Sequence, residues 1–119
     1  MSQLTKNSVR FSIADSDFYF KNLVIKLLLE NPFNKIINDC NNGHELINRL
    51  YKRQEDVFII DLYMPVLSGV EALKFIRKSD KKTPIIAYSA TYQPEIADVL
   101  SDIANVYYCE KKSMIIRDI

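Results

Sequence analysis

The stretch Val57-Phe58-Ile59-Ile60-Asp61-Leu62-Tyr63-Met64-Pro65-Val66-Leu67-Ser68-Gly69 decides the architecture. Its first four residues are apolar without alternation, the pattern of a strand covered on both faces in a parallel sheet. Pro65 and Gly69 then enforce a loop before the next helix. Asp61 therefore stands at the carboxyl end of a buried strand, where open α/β sheets keep their ligands. A carboxylate there is suited to binding a cation or to attacking phosphorus, and equally to capping a turn. Alone, the stretch leaves all three open.

Outward from it, strands and helices alternate. Residues 1–8 are a polar leader. Residues 9–14 read as a first strand ending at Asp15-Ser16-Asp17, with Asp17 as the N-cap of a helix that starts at Phe18. Leu23, Ile25, Leu27, Leu28 and Leu29 suit that helix's buried face, which closes at Asn31-Pro32. Residues 35–40 form a second strand, and Asn41-Asn42-Gly43 turns into a helix carrying Leu46, Ile47 and Leu50. Residues 57–60 are the third strand, and 70–77 a helix with Leu73 and Ile76 inward. Residues 84–88 are the fourth strand, ending at Ser89-Ala90. Pro94 starts the next helix, with Ile96, Val99, Leu100 and Ile103 on one side. Residues 106–109 are the fifth strand.

This alternation predicts a doubly wound, flavodoxin-like parallel sheet of α/β class in the order 2-1-3-4-5. The ligand crevice of that order lies between strands one and three, whose ends carry Asp15 and Asp61. Strands four and five bring Ser89 and Lys111 to the same edge. Locally, Ser89 reads equally as a turn or cap residue, and nothing local chooses Lys111 over Lys112.

Composition narrows the function classes. At 119 residues, 48% apolar and 26% charged, the chain makes one ordinary globular domain with a real core. A net charge of +1 leaves no electrostatic footprint for nucleic acid or a membrane surface. No window approaches the roughly 20 apolar residues of a spanning helix. Cys40 and Cys109, without a CxxC or a neighbouring His, suit reduced, buried thiols of a cytoplasmic protein. His44 has no neighbouring ligands and reads as a surface histidine.

Asp15, the run Asp61-Leu62-Tyr63-Met64-Pro65 with Gly69, Ser89-Ala90 and Lys111 together resemble the receiver domain of bacterial two-component response regulators. The resemblance runs from Val9 to about Lys112. It implies that Asp61 is the phosphoacceptor, taking a phosphoryl group from a sensor histidine kinase, a phosphotransfer protein or a small phosphodonor, without the chain being an enzyme otherwise. It implies Mg²⁺ held by Asp15, Asp61 and the backbone carbonyl of Tyr63, with Lys111 and Ser89 neutralising and bonding the phosphoryl oxygens. Lys111 is favoured over Lys112 because it stands 22 positions beyond Ser89, the family's usual spacing. Ser89 and Tyr108 are then the switch residues that pass phosphorylation on.

Two positions depart from the family pattern. Its paired acids read Asp15-Ser16 here, and a hydroxyl is a poorer metal ligand, so weakened Mg²⁺ binding is expected. Asp17 offers compensation only if it is not spent as a cap. Tyr63, two positions beyond Asp61, is bulky where the hydrolytic water approaches, which predicts a shielded phosphoryl group. The missing acid also opens a second reading, a pseudo-receiver acting through protein contacts alone. A third comes from Asp15-Ser16-Asp17, which resembles the DxD of haloacid-dehalogenase-type phosphatases, with Asp15 as nucleophile and Asp17 as general acid.

Ser113 reads as the N-cap of a last helix cut short after about two turns. A longer natural chain is therefore expected, with an effector domain, DNA-binding among the options, after this N-terminal one. Exposed Ile115, Ile116 and Ile119 would favour a homodimer.

Overall fold

A computed structural model of the chain describes residues 8–50 and 54–114. The strands β1 (Val9–Ala14), β2 (Asn34–Cys40), β3 (Val57–Asp61), β4 (Ile85–Ser89) and β5 (Val106–Glu110) alternate with the helices α1 (Phe18–Leu28), α2 (Gly43–Asn48), α3 (Gly69–Arg77) and α4 (Pro94–Ser101). All neighbouring strands are parallel, in the order β2-β1-β3-β4-β5. This is the predicted flavodoxin-like arrangement.

Strand alternation sorts the core into two layers. Ala14, Phe58, Ile60, Ile85 and Ala87 face α2, α3 and α4, meeting Leu46, Leu73, Ile76 and Leu100. Phe11, Ile13, Ile59 and Tyr88 face the opposite way, toward Phe20, Val24, Ile25 and Leu28 of α1. Two expected core positions on α1 are wrong. Leu23 and Leu29 are exposed, because the helix turns Lys21, Val24, Ile25 and Leu28 to the sheet and leaves Leu23 and Leu29 on the side of Lys26, the one polar residue of the run 23–29. Val99 of α4 is likewise exposed, while Leu100 is buried and Ile96 packs against the core.

Local chemistry fixes the ends. Asp17 caps α1, its side chain accepting from the Phe20 N–H at 3.1 Å. Ser68 and Glu71 form a reciprocal capping box on α3. Pro94 opens α4 after Gln93, whose side chain makes no cap bond. Lys21, nearly fully buried, ties α1 to the end of β2 through the Cys40 carbonyl at 3.1 Å and Asp39 at 2.8 Å. Beneath the sheet, the Arg77 guanidinium donates to the carbonyls of Asp80, Thr83, Ala104 and Asn105. Cys40 is buried, and burial pushes its thiol up to about 11; Cys109 is half-buried, and both are free thiols.

After β5, Lys111–Met114 form a 3₁₀ turn that contains Ser113, and the last helix that Ser113 was expected to cap lies outside the described residues. Ile115, Ile116 and Ile119, and all of the expected leader except residue 8, lie outside the described residues. Among the described residues, no helix is long and apolar enough to cross a membrane.

Candidate functional site

The carboxyl edge of the sheet gathers the expected polar residues into two groups, and the same alternation that sorts the core separates them. Asp15 lies two positions beyond Ile13, Asp61 two beyond Ile59, and Lys111 two beyond Cys109, all in the α1-side layer. Ser89, two beyond Ala87, follows the opposite layer together with Tyr108.

In the first group, Lys111 Nζ lies 3.4 Å from Asp15 Oδ1 and 3.4 Å from Asp61 Oδ2. Asp15 is fully buried and Asp61 nearly so. Burial comes first, and the neighbouring Asp15 carboxyl second, in pushing Asp61 up from 3.8 to about 7; the Tyr63 N–H and Lys111 act against them. One ammonium thus leaves the negative charge of two buried carboxylates incompletely compensated. Lys111 also lies over the rings of Phe20 and Tyr88, at 5.0 and 5.6 Å from their centroids.

The Tyr63 N–H donates to Asp61 Oδ1 at 3.1 Å, so the Leu62–Tyr63 peptide, one before the peptide whose carbonyl was expected to ligate a metal, is packed against the carboxylate. Tyr63 carries its ring outward, and its hydroxyl donates to the Gln93 side-chain carbonyl. Behind Asp61, the loop tightens into a γ-turn: Leu67 N–H bonds the Pro65 carbonyl at 2.8 Å, with Val66 at φ 70°. For a β-branched residue that is strained backbone beside the site. Gly69 closes the loop by bonding the Leu62 carbonyl at 3.1 Å.

The second group is a hydrogen-bond chain. Gln93 N–H donates to the Tyr108 hydroxyl at 3.0 Å, the Tyr108 and Ser89 hydroxyls lie 2.6 Å apart, and Ser89 donates to the Thr91 carbonyl at 2.6 Å. Tyr92 stacks on Tyr108 with centroids 5.0 Å apart. Ser89 is thus at the sheet edge beside Asp61, but its hydroxyl is engaged with the β4–α4 loop.

The structure adds a residue that sequence reasoning missed. Tyr88, fully buried, donates its hydroxyl to Asp15 Oδ2 at 2.7 Å, while Asp15 Oδ1 accepts from the Asp17 N–H at 2.8 Å. The signal was available: a Tyr in a buried strand needs a partner for its hydroxyl, and its layer is that of Asp15. Ser16 is exposed and Asp17 is spent on its cap, so neither replaces the missing acid's charge inside the cleft.

Two neighbouring carboxylates suit Mg²⁺, a hard cation commonly held by one or two carboxylates. Burial first, and the neighbouring Asp15 carboxyl second, lift Asp61, and a cation between the two carboxylates would relieve both, which supports that fit. Among the described residues no group of three or more His, Cys, Asp or Glu converges, so the donor set is a lean one.

Comparison with known proteins agrees with this fold. Over 83 residues the chain is 31% identical to a protein-glutamate methylesterase/protein-glutamine glutaminase of Idiomarina loihiensis, covering 70% of this chain and 21% of that protein. It spans about a quarter of the length of the curated relatives it matches. The receiver domain of Francisella response regulator 1452 superposes with a TM-score of 0.76 at 25% identity, covering 91% of each chain. The Thermotoga maritima response regulator TrrA, in complex with Mg²⁺-BeF, does so at 0.69 and 29% identity, covering 84% of each. Residues 12–116 match the family model described as the response regulator receiver domain, and the chain belongs to that family.

Proposed function

We propose that this chain is a phosphoacceptor that takes a phosphoryl group on Asp61 and signals through Ser89 and Tyr108. The observation that carries the reading is the buried Asp15–Asp61 pair with Lys111 at 3.4 Å from each carboxylate. In the reaction, a deprotonated Asp61 oxygen attacks the phosphorus of a phosphohistidine or an acyl phosphate. The bond from phosphorus to the donor breaks with its electron pair, the imidazole or carboxylate leaves, and an aspartyl phosphate remains. Lys111 supplies fixed positive charge where the transferred group's oxygens gather it. Mg²⁺, held by Asp15 and Asp61, would neutralise charge on the phosphoryl oxygens when bound. Its affinity is weakened because Ser16 brings no carboxylate.

Ser89 supports the switch role by where its proton now goes. A phosphoryl oxygen on Asp61 competes with the Thr91 carbonyl for it, and Tyr108 follows through its own bond to Ser89. The donor would be a sensor histidine kinase or a phosphotransfer protein, and the receiver of the signal an effector region attached to this domain. The relatives matched are methylesterases, so they lend no support to a transcriptional output.

The exposed Ser16 favours one second reading, a receiver that works by contact without phosphorylation. The phosphatase reading gains nothing, since Asp17 spends its carboxylate on the helix cap. Mass spectrometry after acetyl phosphate treatment with Mg²⁺ decides: one added phosphoryl group, absent in Asp61→Asn, is expected. An unmodified parent chain overturns the phosphoacceptor reading in favour of the contact-only one.

A further inference from the structure

We infer that Tyr88 is a positioning residue whose hydroxyl fixes the Asp15 carboxylate for cation binding, a task made necessary by serine at position 16. The inference rests on the phosphoacceptor reading of the cleft.

Asp15 is the acid that β1 delivers into the buried cleft, and its two oxygens are held differently. Oδ1 faces the cleft, where Lys111 stands 3.4 Å away, and is steadied by the Asp17 N–H at 2.8 Å. Oδ2 faces the sheet and receives the Tyr88 hydroxyl at 2.7 Å. That phenol reaches Asp15 across β3: Tyr88 is paired in register with Asp61, and its ring, packed edge-on to Phe20 at 5.3 Å, passes into the α1-side layer. Fully buried, it has no freedom to look elsewhere. A phenol, with an ordinary pKa of about 10, is a neutral donor throughout the physiological range.

A ligating carboxylate needs its other oxygen held so that the metal-facing lone pair is aimed, and losing such a support costs about 10–100-fold in metal affinity. Where two adjacent acids share a cation, one loosely aimed carboxylate is tolerable. With Ser16 exposed and uncharged, Asp15 carries the β1 contribution alone, and its aim counts for more.

The test is Mg²⁺ titration of the chain followed by NMR, comparing the parent with Tyr88→Phe. Phenylalanine keeps the ring against Phe20 and beneath Lys111 while deleting the hydroxyl. The expected result is affinity about tenfold weaker in the variant, with the folded spectrum retained. Equal or tighter Mg²⁺ binding by folded Tyr88→Phe overturns the inference alone. A parent chain that binds no Mg²⁺ overturns the metal reading on which it rests. A metal-free readout stands beside these should the variant not fold: a slowly exchanging downfield phenol proton in the parent, displaced in Asp15→Asn. Its absence from the parent means that Tyr88 does not hold Asp15, and sinks the inference.

Discussion

The Tyr108 and Ser89 hydroxyls, 2.6 Å apart, are joined with a fixed proton direction. The Gln93 N–H can only donate, so the Tyr108 oxygen accepts there and its own proton goes to Ser89. The Ser89 proton then goes to the Thr91 carbonyl. Drawing the Ser89 proton toward Asp61 therefore breaks the Thr91 bond and disturbs the start of α4.

Tyr108→Phe tests that chain. It leaves the Gln93 amide without its acceptor and Ser89 without its donor, each worth about 1 kcal/mol. Amide exchange at Gln93 should quicken by roughly fivefold to tenfold. Uptake from acetyl phosphate should rise a few-fold, since Ser89 is freer to turn. Unchanged exchange at Gln93 would show that the bond does not hold the loop in solution.

Tyr63 reaches the same loop from the other side, through its bond to Gln93. Its ring is therefore tethered rather than free to swing. Tyr63→Phe keeps the ring and cuts the tether; Tyr63→Asn removes both. The lifetime of the aspartyl phosphate should fall up to about fivefold in the first, the worth of one hydrogen bond, and further in the second. Equal lifetimes for the parent and Tyr63→Asn would rule out shielding.

Asp61 makes stability depend on pH. Its carboxyl titrates near 7 in the fold against an ordinary 3.8. Between those values the unfolded chain has lost the proton that the folded chain keeps, so stability falls as pH rises through that window and levels above it. Asp61→Asn removes the penalty. At pH 8 without Mg²⁺ the variant should be more stable than the parent by about 1–2 kcal/mol, or roughly 4–8 °C in thermal midpoint. The gap should shrink at pH 5, and added Mg²⁺ should narrow it at pH 8. A parent as stable as Asp61→Asn at pH 8 would mean that the carboxylates are better compensated than their surroundings indicate.

Much of this was legible in the sequence because it follows from period and position. Apolar runs ended by Asp15, Asp61 and Ser89 fixed the strand ends, and connection rules then fixed the order. Asp17 as a cap was readable from residue type alone. What stayed hidden depends on rotation. Leu23 and Leu29 belong to a stretch in which Lys26 alone is polar, so packing chose between them and Val24. The Tyr88–Asp15 bond joins residues 73 positions apart, and sequence gives the layer each occupies but not the reach of a ring across β3. Ser89 was placed at the correct edge, yet the direction of its hydroxyl depends on the Thr91 carbonyl, which no local pattern announces.

Gly69 offers the last prediction, and here close approach rather than an unusual φ demands glycine. A Cβ on Gly69 would lie 2.0 Å from the Asp61 carbonyl oxygen and 2.6 Å from Leu62 Cα. Both are backbone atoms, which cannot swing aside as a side chain would. The capping box at Ser68 holds the start of α3 against this spot, so the helix cannot retreat without losing its cap. Gly69→Ala must therefore push α3 off the end of β3 or shift the peptide that carries the phosphoacceptor. A cost of about 3 kcal/mol is expected from overpacking, together with lost acetyl phosphate uptake at temperatures where the variant is still folded. If only stability falls and uptake survives, the strain is absorbed by α3 and the backbone at Asp61 is stiffer than the helix packed against it.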